Sequence, residues 1–230
     1  MSNIDERIVY EDNHIIVVNK LPGELVQGDK TGDETLADKV KAYLKVKYNK
    51  PGNVFLGIVH SLDRPVSGLV IYAKTSKALT RLNKMIKEGK IRKTYWAIVE
   101  RMPPKNEDVL VNFLKKNERQ NKSYVVEQST KGAKEAKLKY KWLGKSNNYH
   151  LLEVELFTGR HHQIRVQLSH IGCVIKGDLK YGAKRSNPDG GIDLIAYRLE
   201  FVHPVKKEKI VLRALLPDNK LWSYFGRHYE

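Results

Sequence analysis

The stretch AKLKYKWLGKSNNYHLLEVELFTG, residues 136–159, constrains the fold more than any other part of the chain. Its first arm alternates Ala136, Leu138, Tyr140 and Trp142 with lysines. Its second alternates Leu152, Val154 and Leu156 with glutamates. A period of two puts all apolar side chains on one face of a β-pair and all charges on the other. GKSNN between the arms is a hairpin turn. A sheet with one buried face and one wet face is typically antiparallel.

The rest of the chain extends this pattern. IVYEDNHIIVVNK, residues 8–20, reads as two strands around a turn at Asp12 and Asn13. GLVIYAK, RKTYWAIVE, IAYRLEFVHP and KIVLRALLP read as further strands. Helical spacing of Leu36, Val40, Tyr43 and Leu44 predicts a helix over 33–48, with Asp33 as its cap. A second helix follows Thr75 or Ser76 and turns Leu79, Leu82 and Ile86 inward. A third runs through HHQIRVQLSHIG from Thr158 or Gly159 and closes at Gly172. Strands dominate without regular βαβ alternation. The expected class is α+β with a mostly antiparallel sheet and flanking helices.

Lys and Arg total 42 against 26 Asp and Glu, a formal charge of +16. The excess is local. Residues 74–95 hold eight basic residues and a single acid, Glu88, and residues 131–145 are similarly loaded. Such blocks suit a polyanion, because neutralising phosphates releases counterions. No apolar run approaches the roughly 20 residues of a membrane helix. The start MSNIDERIVY carries acids where an export signal carries lysines and an apolar core, so a cytoplasmic location is expected. Cys173 is the sole cysteine, so an internal disulfide and a cysteine-cluster zinc site are both ruled out. His161 and His162 are adjacent and diverge by about 100° on a helix, a poor metal chelate.

Two segments could carry chemistry. In HSLDRPVSGLVIYAK, residues 60–74, Pro65 biases Arg64 away from helical geometry and holds Asp63 in a stiff loop before a buried strand. Asp63 is either a presented carboxylate or a turn brace paired with Arg64. His60 reads as a hydrogen-bonded structural residue. In FTGRHHQIRVQLSHIG, residues 157–172, Arg160 and His161 fall where helix amides attract anions, and Arg165 borders the core face. A part-buried arginine needs a carboxylate or a set of carbonyls. Asp63 is one candidate partner and backbone carbonyls are the other. Tyr95, in RKTYWAIVE, is either core or a stacking platform for a base.

These segments, with VVNKLPG (17–23), KTYWAIVE (93–100), TGRHHQIRVQLSHIGCVIKGDLKYGA (158–183) and LEFVHP (199–204), resemble the RluA family of pseudouridine synthases in order and spacing. The resemblance covers nearly the whole chain. It implies a mixed, mostly antiparallel sheet in two lobes with an RNA cleft between them. It implies one catalytic domain over 1–230, without the extra N-terminal RNA-binding domain of larger relatives. It also implies isomerisation of uridine to pseudouridine in ribosomal or transfer RNA, breaking N1–C1′ and rejoining through C5, with no cofactor and no metal.

By the same resemblance Asp63 is the catalytic carboxylate, Tyr95 stacks on the target uracil and Arg165 pairs with the aspartate. Ser61, Arg64, Arg160, His161, Gln163, Lys74 and Lys93 are the candidate RNA contacts. Ser61 departs from the arginine common in the family, and Gln167 from a frequent histidine. Neither departure touches the three catalytic positions. A monomer is expected. The rival readings are an RNA-binding protein of the same fold without catalysis and a metal-dependent nuclease using Asp63 and the histidines.

Overall fold

A computed structural model describes residues 3–28 and 32–229. The chain divides into two compact units, residues 1–92 with 196–215, and residues 93–195 with 216–230.

The first unit opens with β1 (Ile8–Glu11) and β2 (Ile15–Lys20). The turn between them is an aspartate turn: Asp12 Oδ1 accepts from the amides of His14 (2.8 Å) and Ile15 (3.0 Å). Helix α1 (Leu36–Lys47) begins at Thr35 rather than at the expected Asp33. Thr35 and Asp38 bond each other's backbone amides in a capping box, so the Thr35–Asp38 spacing decides the start. Asp33 pairs instead with Arg64. Strands β3 (Gly57–Ile58) and β4 (Ser67–Ala73) lead to α2 (Ser76–Lys87), capped by the Thr75 hydroxyl. Leu79 of α2 lies where a Gly57 side chain would stand, its nearest methyl 2.8 Å from a built Cβ, so a larger residue there would have to push the Leu79 side chain aside.

In the second unit the strands are β5 (Arg92–Val99), β6 (Glu107–Asn117), β7 (Lys122–Val126), β8 (Lys134–Lys145) and β9 (His150–Leu156). They stand in the order β5-β9-β8-β6-β7, with every pair antiparallel. The alternation that predicts the hairpin holds: Ala136, Leu138 and Tyr140 face Leu156, Val154 and their neighbours on the buried side. A register shift between Trp142 and Gly144 marks a bulge. Gly144 sits there because the ring of Tyr229, on the C-terminal helix, occupies the space of any side chain. Helix α3 (Gln163–His170) packs on β6 and β7. Leu114, Ala136, Val166 and Tyr181 form one apolar cluster there.

The last strands, β10 (Leu194–Val202) and β11 (Lys209–Arg213), complete the first unit's sheet in the order β1-β2-β4-β10-β11, with β3 beside β4. Every residue of β2 and β4 is buried. Their near-continuous apolar runs therefore reflect cover on both faces. Helix α4 (Lys220–Tyr229) ends the chain, with Asn219 Oδ1 accepting from its first amides and Trp222 Nε1 donating to Asp193 (2.9 Å). Apolar periodicity alone does not predict β6, β7 and α4. Lysine and asparagine interrupt the pattern in β6 and β7, and α4 has an aromatic rather than aliphatic stripe.

Candidate active site

The first unit presents Asp63 on a tethered loop. The Val66 amide donates to the Asp63 carbonyl (3.0 Å) and closes a turn around Pro65. Gly23 and Arg64 exchange bonds: the Gly23 amide donates to the Arg64 carbonyl (2.8 Å), and Arg64 Nε donates to the Gly23 carbonyl (3.0 Å). Leu62 and Val66 anchor the loop in the core on either side of the half-buried Asp63.

Beneath the loop lies Lys20, fully buried at the end of β2. Its Nζ donates to the carbonyls of Val66 (2.6 Å), Arg64 (2.9 Å), Leu21 (3.1 Å) and Asp63 (3.3 Å). Burial pushes its pKa down to about 7, against the opposing pull of the Glu24 and Asp63 charges. One buried cation thus gathers the carbonyls on which the aspartate loop is built. By contrast the ion pair Arg64–Asp33 (2.9 Å) is half exposed at both ends. A pair of that kind contributes about 0–1 kcal/mol. The backbone bonds and Lys20 therefore do most to hold the loop.

Two features set the strand that follows. His60 Nε2 accepts from the Ile71 amide (3.2 Å), which matches its reading as a structural residue. Gly68 has φ +108°, and a built Cβ would lie 2.5 Å from the Ala196 carbonyl oxygen. Only glycine admits this conformation and this approach of β10. Ser61 is exposed, with its hydroxyl 3.4 Å from the Leu62 carbonyl. Lys74 is 7% exposed and engaged by Glu11 at 2.7 Å, with its ammonium 4.6 Å from the centre of the Tyr48 ring. That leaves little of it for an RNA phosphate.

In the second unit Arg165 is 4% exposed and clamped by Asp178. Nε meets Oδ2 at 2.7 Å and Nη2 meets Oδ1 at 2.9 Å. This fork-to-fork pair sets the plane of the guanidinium. The Tyr181 ring centre lies 5.2 Å from the guanidinium carbon. The Tyr181 hydroxyl accepts from the Ser123 amide (2.9 Å) and is bonded to His162 Nδ1 (2.9 Å), so it pins α3 to β7. Burial, helped by the Arg165 and His161 charges, pushes the His162 pKa down to about 2, and its ring is neutral. Tyr95 is 7% exposed in β5.

The helix begins later than the sequence suggests. α3 starts at Gln163, because His162 adopts left-handed geometry (φ +55°) and breaks the helical run. Arg160 and His161 therefore lie in the turn before it. Arg160 Nε donates to the Glu135 carbonyl (2.8 Å). His161 stacks on His162 with ring centres 3.7 Å apart and bonds Ser123 and Asn121 through its two nitrogens. Gln163 is buried: its Oε1 accepts from the Arg160 amide and the Thr158 hydroxyl, and its Nε2 donates to the Lys137 carbonyl. It braces this turn. Lys93 is half-buried, and burial lowers its pKa. Gln167 is fully buried and donates to Asn112 Oδ1 (2.8 Å) and the Ala136 carbonyl (3.2 Å), tying α3 to β6 and β8.

Sequence reasoning misses Lys20 and Asp178 as site residues. A signal exists for Lys20: period two places it with Ile16 and Val18 on one strand face, and a lysine there must find carbonyls or a carboxylate. Asp178 lies 13 positions from Arg165 across a turn that no periodicity predicts.

A family model described as RNA pseudouridylate synthase matches residues 14–170. Ribosomal large subunit pseudouridine synthase C of Buchnera aphidicola subsp. Acyrthosiphon pisum is 32% identical over 222 residues, covering 94% of this chain and 68% of that protein. The tRNA pseudouridine synthase C of Vibrio parahaemolyticus is 29% identical over 255 residues, covering 100% of this chain and 97% of that protein. Among solved structures, human RNA Pseudouridylate Synthase Domain Containing 4 superposes with a TM-score of 0.79 at 22% identity, covering 97% of this chain and 93% of that one. That last likeness is one of fold.

Proposed function

The chain belongs to the RNA pseudouridylate synthase family and is an RNA pseudouridine synthase, and from that premise we propose how its residues carry the reaction. Asp63 is the carboxylate that engages the target uridine. It acts at the sugar, either by attack on C1′ or by removal of a sugar proton, while the base detaches from N1, turns and rejoins through C5. No atom is gained or lost and no redox change occurs. Tyr95 and Arg165 take the roles that the resemblance gives them, one stacking on the extruded uracil, the other keeping the aspartate charged.

One observation supports this reading above the others: the Asp63 loop is held by bonds from the buried Lys20 Nζ to three of its own carbonyls, those of Asp63, Arg64 and Val66. Rigid placement is what a group that must meet a flipped nucleotide requires. Flipping costs a few kcal/mol, least in a loop. Ser61 is too short to fill the gap that a departing base leaves in a stack, so the favoured target is a loop uridine rather than one deep in a duplex.

The substrate is ribosomal or transfer RNA, the two classes named for the relatives. Residues 1–230 act as one catalytic domain, as a monomer, in the cytoplasm. No helix among the described residues is long and apolar enough to cross a membrane. Ser61, Arg64, Arg160, His161 and Lys93 contact the RNA, while Gln163 and Lys74 act mainly through the residues they brace.

The test is direct. Unmodified total RNA is incubated with the wild-type protein or with Asp63→Asn, and new pseudouridines are mapped by carbodiimide-based sequencing. New sites with the wild type and none with Asp63→Asn are expected, with RNA binding intact in both. Wild-type turnover by the asparagine variant would remove Asp63 from the mechanism. A footprint without new sites from either protein would favour the non-catalytic RNA binder.

A further inference from the structure

Helix α2 carries a row of cations: Lys84 and Lys87 suit the negative end of the helix dipole and Lys84 lies 3.8 Å from Glu88, whereas Lys77 sits at the positive end. Lys77, Arg81, Lys84 and Lys87 recur at intervals of three or four and line one side of the helix. Like charges at that spacing repel. The first turn holds no acid and does hold Lys77, the wrong sign for the helix dipole. The opposite side buries Ala78 and Leu82, so the cationic row faces away from the core.

The turn between β10 and β11 adds to the row. The Pro204 carbonyl accepts from Arg81 Nη1 (2.9 Å) and also from Lys207 Nζ (3.2 Å). Two cations thus converge on one neutral oxygen, an arrangement that a nearby anion stabilises. Lys207 itself sits in left-handed geometry (φ +64°), which turns it back onto that carbonyl. Lys77, Lys84, Lys87, Lys207 and Lys209 are all exposed.

We propose that the cationic row of α2, joined by the β10–β11 turn, is a second RNA-docking surface that grips the phosphate backbone of a stem beside the target loop. The proposal rests on the pseudouridine synthase reading and extends it to the shape of the substrate. The row lacks aromatic side chains for stacking on bases, so it suits the phosphates of a duplex rather than an unstacked strand. From Lys77 to Lys87 it spans about 15 Å at 1.5 Å per residue. α2 starts at the far end of β4 from the Asp63 loop, about 20 Å along the strand at roughly 3.3 Å per residue. A stem that reaches the start of the row must therefore extend about seven base pairs past the target nucleotide, at the roughly 2.8 Å rise of an A-form RNA duplex.

The experiment compares wild type with the triple variant Lys77→Ala, Lys84→Ala, Lys87→Ala on two RNAs that carry the same target loop. One has a stem of three base pairs and the other a stem of twelve. Binding and turnover are measured at several salt concentrations. On the long stem the variant is expected to show a KM raised about tenfold, unchanged kcat, and a salt slope flattened by about 0.9 for each phosphate no longer neutralised. On the short stem it should match the wild type. Equal KM and salt slope on the long stem would overturn the proposal, as would an equal loss on both stems. The pseudouridine reading fails separately: no product from either protein removes that assignment, while the binding difference between the stems still decides the docking surface. Lys77→Glu with Lys84→Glu repeats the test with reversed charge and should deepen the long-stem defect alone.

Discussion

Arg165 and Asp178 form a two-pronged ion pair in the second unit, with side chains 5% and 1% exposed. Two charges removed from water together are tolerable, and one left alone is not. Asp178→Ala is expected to cost about 3–5 kcal/mol. In a chain of this size that lowers Tm by on the order of 10 °C. Arg165→Met combined with Asp178→Leu should recover much of that loss, because the desolvated charge is gone. Thermal unfolding of the wild type and of both variants checks this. A single variant as stable as wild type would show that the pair contributes nothing. Turnover should fall in every case, since the guanidinium plane is set by this clamp.

Lys20 holds the aspartate loop through its backbone carbonyls. Lys20→Met keeps the aliphatic volume and removes the donor. The carbonyls of Asp63, Arg64 and Val66 then lose their shared partner, at a cost of about 3 kcal/mol. The loop should loosen, so kcat is expected to fall at least tenfold while KM for RNA stays within about twofold. Steady-state kinetics separates this from a phosphate-binding role, which would raise KM and leave kcat alone.

Gly68→Ala tests the start of β4. The added methyl meets the Ala196 backbone at 2.5 Å, and φ of +108° is unfavourable for alanine in any surroundings. Backbone cannot move aside as a side-chain tip can. Destabilisation of about 3 kcal/mol or more is expected, with loss of activity because Asp63 stands five residues upstream. Denaturant unfolding measures it, and an unchanged midpoint would refute the close approach of β4 and β10.

Glu11 sets a pH dependence. Its side chain is 7% exposed and accepts from Lys74 (2.7 Å), Tyr48 (2.7 Å), Lys47 (2.8 Å) and Tyr43 (2.9 Å). Burial opposes its charge, but these donors outweigh it and hold its pKa down at about 2, from 4.5. A carboxylate with a lowered folded pKa contributes stability that is complete above the unfolded value. That stability is lost as pH falls from about 4.5 towards 2. Glu11→Gln should therefore cost about 3 kcal/mol at neutral pH and almost nothing near pH 2. Unfolding curves of both proteins across pH 2–7 should converge at the acid end. A constant gap would place the effect in shape rather than charge.

The sequence alone determined the element types wherever side-chain period is set by local geometry. The 136–159 hairpin, the buried runs of β2 and β4 and the amphipathic α2 were legible because an exposed or buried face repeats every two or 3.6 residues. Its motifs also singled out Asp63, Tyr95 and Arg165, and family membership followed from the same segments. Helix starts were less legible, since the Thr35 box and the left-handed His162 depend on single backbone conformations. Only the tertiary structure decided the partners: Asp178 for Arg165, four carbonyls for Lys20, the Ala196 backbone against Gly68. Apart from the Leu21 carbonyl, those pairings join residues 13 to 128 positions apart, and a buried charge or a missing Cβ is satisfied by whatever the chain brings near it. Spacing along the chain carries no record of that.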